Sequence, residues 1–515
     1  MDSTFNFNYY SASMERIRSV YTSMSRGEKR LLTRYFEAFS PKSSENKSVQ
    51  FLKYLDDCPT ISHADMAELL YGNPKAKALS MQKPKIWERM MEILHLSVNS
   101  DHRAIAREDP ASQIQLEILK ELSYALTLRM RGRNDLARTL LEECQQKAES
   151  FGYPGLQLQA QTMLRSMAQT REEVTEHYNP LMDLTLESYI SDLISQAAMD
   201  EYAVMSHLDR MPDEDEISEW LVGICARLEK RVEEHYSRRA HMHLLILKEN
   251  LCRLQGRFAE GEELVQELKD LMEAHPELGS KYRMGLPYLH LADIELRSYR
   301  FPEAKKTAGE AITFFRPGKR IYYRSILLTS LSQIYLGEWD EAWNLLNSLG
   351  EFPPSSEVEV MRPITGFLKT CLLYLRGEPA KARHELQQEN PLQHDKRGWN
   401  VGLRMFEIMV LIDLEQCDAA SSRIESFRKY LSRYEIINAR SVAIFQYFYH
   451  LEKVAFDFSA VLDKGKAALE ELKDAPAWNP VGYEIIRFES WLRAHEEGRG
   501  VGEVLVEDCE SLRKR

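Results

Sequence analysis

Apolar residues recur at helical spacing along most of the chain, and the pattern is clearest between residues 284 and 349. There the same arrangement occurs twice, as GLPYLHLADIELRSYRFPEAKKTAGEAITFFRPG and as YYRSILLTSLSQIYLGEWDEAWNLLNSLG. Each copy has an apolar helical segment, a short break at Tyr299-Arg300-Phe301-Pro302 or Gly337-Glu338-Trp339-Asp340, and a second helical segment. A small residue, Ala304 or Ala342, stands early in each second segment. The apolar stripe is too wide for one hairpin to bury, so such units must stack on neighbours.

The same pattern extends in both directions. Toward the N-terminus, Ser25 and Glu28 have the spacing of a capping box before the helix EKRLLTRYFEAF. VQFLKYLDDC, Ser62 to Leu70 and PKIWERMMEILHLSV follow as helices, with a stop near Gly72-Asn73-Pro74. These four short helices predict a head module over residues 1–103, and residues 1–12 read as loosely docked. From Gln113 the segments lengthen into hairpins, the first turning at Arg131-Gly132-Arg133-Asn134. Residues 155–240 keep a helical period without a clean turn glycine, and PDEDEISEW reads as a loop entering a helix. Hairpins return from His241 onward, and the array is expected to run over residues 113–473. Residues 474–515 are expected to hold a capping helix around Ile485 to His495 and a polar tail.

Small residues mark the second helices at Ala137, Gly261, Ala304, Ala342, Ala382 and Ala420; the last five are 43, 38, 40 and 38 residues apart. Small side chains are wanted where two helices of a hairpin cross closely. The interval from Ala137 to Gly261 has room for three such units. The predicted fold class is therefore all-α, an α-α superhelix of helical hairpins with a small N-terminal helical module.

At 515 residues, 44% hydrophobic and 28% charged, the chain has the material for a well-packed body. Its net charge of −12 divides unevenly, as +3 over residues 1–103 and −15 over the remainder. An acidic array argues against a nucleic-acid groove along it. The seven cysteines stand singly, without a CxxC pair, as expected of buried thiols in a reducing compartment. No apolar run approaches the length of a membrane span, and MDSTFNFNYYSASMER lacks the basic and apolar parts of a signal peptide. A cytoplasmic protein without membrane association is expected.

The unit 285–317 resembles the tetratricopeptide repeat (TPR). Tyr288, Leu291, Ala292, Ala304, Ala308, Ala311 and Pro317 match its pattern of large, Leu-small, Ala, Ala and Pro positions. Ala308 replaces the family's aromatic between the two alanines, and the spacing exceeds the family's. A head followed by degenerate repeats also resembles bacterial cytoplasmic repeat proteins, a resemblance that brings no activity with it. The family likeness implies a groove lined by the first helix of each hairpin. On this chain that face would carry His243, Asn250, Arg253, Asp293, Arg297, Arg324, Tyr335 and Arg404 as partner-binding residues, a mixture suited to an extended acidic or polar peptide. The turn aromatics Phe258, Phe301 and Trp339 are expected to pack the hairpins.

Candidate chemistry is thin. P-loop, GxGxxG, GxSxG and HExxH motifs are absent. His241 and His243 lie two apart on a helix and point to different faces, so His235, His241 and His243 do not make a metal site. His290, with Asp293 and Arg297 three and seven positions on, is a candidate polar patch. Adjacent carboxylates such as Glu262-Glu263 diverge and cannot act as a general acid and base. No catalytic residue, metal or cofactor is expected. The expected function is a non-catalytic protein–protein interaction scaffold that binds a partner protein or peptide. The alternative is a regulator whose head binds nucleic acid through Lys75, Lys77, Lys83, Lys85 and Arg89 around Trp87.

Overall fold

The computed structural model describes residues 13–38, 46–97, 110–205, 214–279, 283–350, 361–388, 398–434, 436, 438–461 and 463–514. All regular structure among them is helical. The chain divides into two compact units, residues 1–108 and 109–515. The architecture is an all-α, TPR-like helical repeat with a small N-terminal helical part.

Among its described residues the first unit holds five helices: α1 (Met14–Ser23), α2 (Arg26–Ala38), α3 (Lys47–Asp57), α4 (His63–Tyr71) and α5 (Lys77–Ser97). The sequence pattern predicts only four. The extra helix, α1, is capped by the Ser13 side chain and buries Met14, Ile17 and Tyr21 at spacings of three and four. The expected capping box is present: Ser25 N donates to Glu28 Oε2 at 2.6 Å, and Glu28 N donates to Ser25 Oγ at 3.2 Å. Helix α5 begins seven residues before the predicted start, with Pro84 inside it. Ile17, Leu32, Phe51, Leu52, Met66 and Met90 form the core of this unit. Met91, adjacent to Met90 and so turned away from that core, is 44% exposed.

Among its described residues the second unit contains seven hairpins. They are α6 (Pro110–Met130) with α7 (Asn134–Ser150), and then, after an irregular stretch, α11 (Arg238–Leu254) with α12 (Phe258–Ala274). Next come α13 (Leu286–Arg297) with α14 (Phe301–Ile312), α15 (Arg320–Tyr335) with α16 (Trp339–Asn347), and α17 (Met361–Leu375) with α18 (Pro379–Gln388). The last two are α19 (Trp399–Asp413) with α20 (Cys417–Arg433), and α21 (Ala439–Lys453) with α22 (Asp463–Asp474). The stretch between the first two hairpins holds α8 (Pro154–Arg165), a π-helical turn (Glu173–Tyr178), α9 (Asn179–Met205) and α10 (Glu214–Glu234).

One device closes all seven turns. A residue with positive φ follows the first helix, and the next N–H reaches back five residues, as Arg257 N to Cys252 O (2.8 Å) and Glu338 N to Gln333 O (2.9 Å). Glycine takes the left-handed position at 132, 256, 337 and 377, whereas Tyr299, Glu415 and Ala455 take it at about 1 kcal/mol of strain each. Five residues after six of these turns stand the small residues Ala137, Gly261, Ala304, Ala342, Ala382 and Ala420, all buried. Between Gly152 and Gly256 no described residue has positive φ. The interval with room for three units holds longer helices, of which α9 has 27 residues.

Ala304 sits at one of these crossings with no exposed surface. Ala304→Leu is expected to destabilise by about 1–3 kcal/mol through overpacking. Lys306→Leu, on the exposed side of α14, should stay within about 0.5 kcal/mol. Lys305 is unsuitable as the control because its Nζ bonds both carboxylate oxygens of Glu338. Equal urea midpoints for the two variants would refute the close crossing.

The C-terminal region departs furthest from expectation. The predicted polar tail is helix α24 (Val501–Arg513), which buries Val504, Leu505 and Cys509 and follows α23 (Phe488–Glu497). Before them, residues 475–487 cross the hairpins without regular structure. Tyr299 Oη donates to Trp478 O and Tyr335 Oη to Pro480 O, both at 2.8 Å. The Trp478 ring stacks on Tyr299 and meets Tyr335 edge-on. Arg440 bonds both Glu484 and Glu489, while Trp491 Nε1 and His495 reach Asp413 at 2.9 Å. Trp478, Val481, Ile485 and Trp491 belong to the same core as α13 through α22.

Candidate functional site

The eight candidate partner-binding residues fall into four places. Five of them converge: Asn250 and Arg253 on α11, Asp293 and Arg297 on α13, and Arg324 on α15. Arg297 Nε donates to Asp293 Oδ1 at 2.6 Å, Arg324 Nη2 to Oδ2 at 2.5 Å, and Arg253 Nη1 lies 3.8 Å from Oδ1. Arg253 Nη2 also donates to Asn250 Oδ1, and its Nε stands 3.4 Å from Glu249. His290 Nδ1 contacts the other oxygen of Glu249. The spacing in sequence brings this about. Glu249 and Asn250 stand one turn before Arg253 on α11 and flank it, residues 290, 293 and 297 share one face of α13, and the adjacent first helices set these groups side by side.

Burial disfavours charge on Asp293, but Arg297, Arg253 and Arg324 outweigh it and hold the carboxyl well below the usual range. Burial likewise opposes the Arg253 charge, and Asp293 and Glu249 overcome it, raising its pKa further. The cluster thus sets three guanidinium groups against two carboxylates. Asp293 is 9% exposed at the side chain, Arg253 16%, Arg297 18% and Arg324 33%. The surplus cation is therefore at the open edge, on Arg324.

His243 lies on the same helix but under α9. It is 5% exposed, and its Nδ1 is 3.0 Å from Ser195 Oγ. Tyr202, further along α9, donates to Asn250 Oδ1 at 2.6 Å. The long α9 therefore covers the part of α11 expected to be open. Tyr335 is 1% exposed and held against the 475–487 segment, so the chain itself fills that part of the expected groove. Arg404 lies apart from both, its guanidinium 4.1 Å from the Tyr430 ring centroid. Among the turn aromatics, Phe301 is fully buried and Trp339 packs against the core.

Sequence reasoning missed Glu249 and Tyr202 as partners of the cluster. It also missed Tyr299, although a tyrosine where three following units offer Gly, Gly and Glu is a visible irregularity. No group of three or more His, Cys, Asp or Glu placed to hold a metal occurs among the described residues. No helix among them is long and apolar enough to cross a membrane.

Burial, then Arg239 and Arg283, push the His243 pKa down to about 4, and Asp200 opposes them weakly. An unfolded histidine titrates near 6.5, so the folded state prefers the neutral ring. This contribution is complete above about pH 6.5 and is lost as pH falls toward 4, at a cost of about 3 kcal/mol. His243→Gln should flatten the fall in stability between pH 7 and pH 4 by that amount. Parallel stability–pH curves for variant and wild type would exclude it.

The chain matches no protein-family model. It matches no curated protein. Among solved structures it is similar to a Rap protein complexed with Competence and Sporulation Factor, at 12% identity and a TM-score of 0.44, over 77% of this chain and 98% of that one. It is also similar to the apo form of the quorum sensor NprR from B. thuringiensis, at 16% identity and a TM-score of 0.42, over 76% and 99%. Both are weak likenesses.

Proposed function

We propose that the protein is a non-catalytic interaction scaffold whose partner, a protein or peptide, docks a carboxylate-bearing segment at the arginine cluster carried by α11, α13 and α15. The observation that carries this reading is the convergence of Arg253, Arg297 and Arg324 on the single buried Asp293. Asp293 orients the guanidinium groups, and the most exposed of them, Arg324, keeps donors for an incoming anion. A fixed guanidinium fork favours a planar carboxylate over a diffuse charge. With His243 covered by α9 and Tyr335 by residues 475–487, this cluster and Arg404 are the polar parts of the predicted face that solvent reaches.

Titration with a pentaglutamate probe at low salt tests the reading. Saturable binding is expected, weakened at least about tenfold by Arg324→Glu and retained by Arg324→Lys, with pentaglutamine inert. Failure of pentaglutamate to saturate, or indifference to Arg324→Glu, would refute it.

A second reading, nucleic-acid binding by the first unit, is favoured by one observation. Arg26, Arg30 and Arg34 are all exposed at four-residue spacing along α2, and none forms an ion pair among the described residues. Like charges at this spacing destabilise a helix, and Arg26 also faces the positive end of its dipole. A polyanion would relieve both. The lysine group around Trp87 supports this less, because Arg89 pairs with Glu92 and Lys83 is half-buried. Retarded migration of mixed duplex DNA, abolished by the triple Arg→Gln variant, would support this reading; unretarded DNA at low salt would exclude it.

A further inference from the structure

The second unit treats its two ends differently. Its last hairpin turns charged residues outward, with Lys466, Glu470, Glu471 and Lys473 exposed on α22. Its first helix does the opposite. On α6, Leu116, Leu119, Leu126 and Met130 are 39%, 39%, 48% and 82% exposed, and Leu136 on α7 is 51% exposed. The four α6 residues follow heptad spacing, with Ser123 in the remaining place, and lie about a quarter turn round the helix from the buried Ile118, Leu122 and Ala125. The helix thus carries an exposed apolar stripe beside the face that packs within the chain. Terminal units of a soluble repeat array ordinarily present a polar outer face. Here that holds at one end only.

We infer that the α6 stripe is the interface of a homodimer, formed by two copies meeting through their first hairpins. The five residues leave roughly 500 Å² of apolar surface per copy, comparable to the apolar share of a standard interface that buries about 800 Å² on each partner. The stripe is self-complementary. In an antiparallel pairing centred on Ser123, Leu116 lies level with Met130 of the other copy, and Leu119 comes within one residue of Leu126. No charged residue interrupts it. Stacking of first hairpin on last hairpin would instead bury leucines against the charges of α22, so association closes at two copies. A second exposed stripe on α9, formed by Leu186, Leu193 and Val204, is broken by Asp200 at a heptad position and is the poorer candidate.

Sedimentation equilibrium of the full chain between about 1 and 50 μM decides the matter. Wild type is expected at twice its 59.9 kDa chain mass. Leu119→Glu/Leu126→Glu should sediment as a monomer with an unchanged far-UV spectrum, and Leu193→Glu should remain a dimer. A monomeric wild type would mean that something other than a second copy covers the stripe, and would overturn the inference. So would a dimer that survives the double substitution or is dissociated by Leu193→Glu.

Discussion

Gly402→Ala is expected to cost about 3 kcal/mol or more, although it adds a single methyl group to a helix. A Cβ at this position would stand 2.1 Å from Tyr483 O and 2.8 Å from its carbonyl carbon. Those are backbone atoms, and they cannot rotate aside. The segment that bears them is fastened on both sides. Trp478 Nε1 donates to Glu484 O at 2.8 Å, Glu484 takes two bonds from Arg440, and Phe488 N donates back to Glu484 at 2.8 Å. Making room for the methyl group therefore means moving the whole crossing. Gly309→Ala supplies the contrast. Its added Cβ would meet nothing within 4 Å, and its backbone is helical, so a gain of about 0.5–1 kcal/mol is expected. Opposite shifts of the urea midpoint support the packing of residues 475–487; equal and small shifts would contradict it.

Asp293→Asn should cost about 3–5 kcal/mol, because it leaves buried arginines without their counter-charge. The substitution keeps the shape and removes only the charge, so the loss reads electrostatics rather than a cavity. Arg324→Gln removes one cation at the open edge, and an ion pair there contributes about 0–1 kcal/mol. The pH dependence provides a second check. The carboxyl is held low in the folded state, so its contribution is complete above the ordinary aspartate range and is lost as pH falls below about 4. The gap between wild type and Asp293→Asn should hold from pH 8 down to pH 4 and narrow only below that. A gap that closes near pH 6 would assign the effect to another group.

Much of the array was legible because its hairpins repeat a local rule. A helix ends, one residue turns left-handed, and five residues later the chain must be small. Ala304 and Ala342 could be found by that rule, and so could Gly132, Gly256 and Gly377. Helix α1 was not legible because its three buried residues, Met14, Ile17 and Tyr21, sit in a polar stretch with no leucine. The α24 helix was hidden by Gly498, Gly500 and Gly502, which read as a flexible tail. Gly502 is instead required by close approach, its Cβ position lying 2.5 Å from the Trp339 ring. For the candidate site, the resemblance to the repeat family put Arg253, Asp293, Arg297 and Arg324 on first helices of neighbouring hairpins. It could not say that α9 covers His243 or that residues 475–487 cover Tyr335, because those contacts join residues 48 and 145 positions apart.

The bond from Tyr299 to Trp478 spans 179 residues. A chain made at about 5–20 residues per second leaves the ribosome with Tyr299 roughly 10–35 seconds ahead of its partner. During that interval the hairpins from α13 onward can form, but the strip later covered by Trp478, Val481 and Ile485 stays bare. Newly made protein thus passes through a stage in which its middle is sticky and its end is still being translated. A ribosome stalled near residue 470 should hold such a chain in the hands of a chaperone, and one allowed to finish should release it.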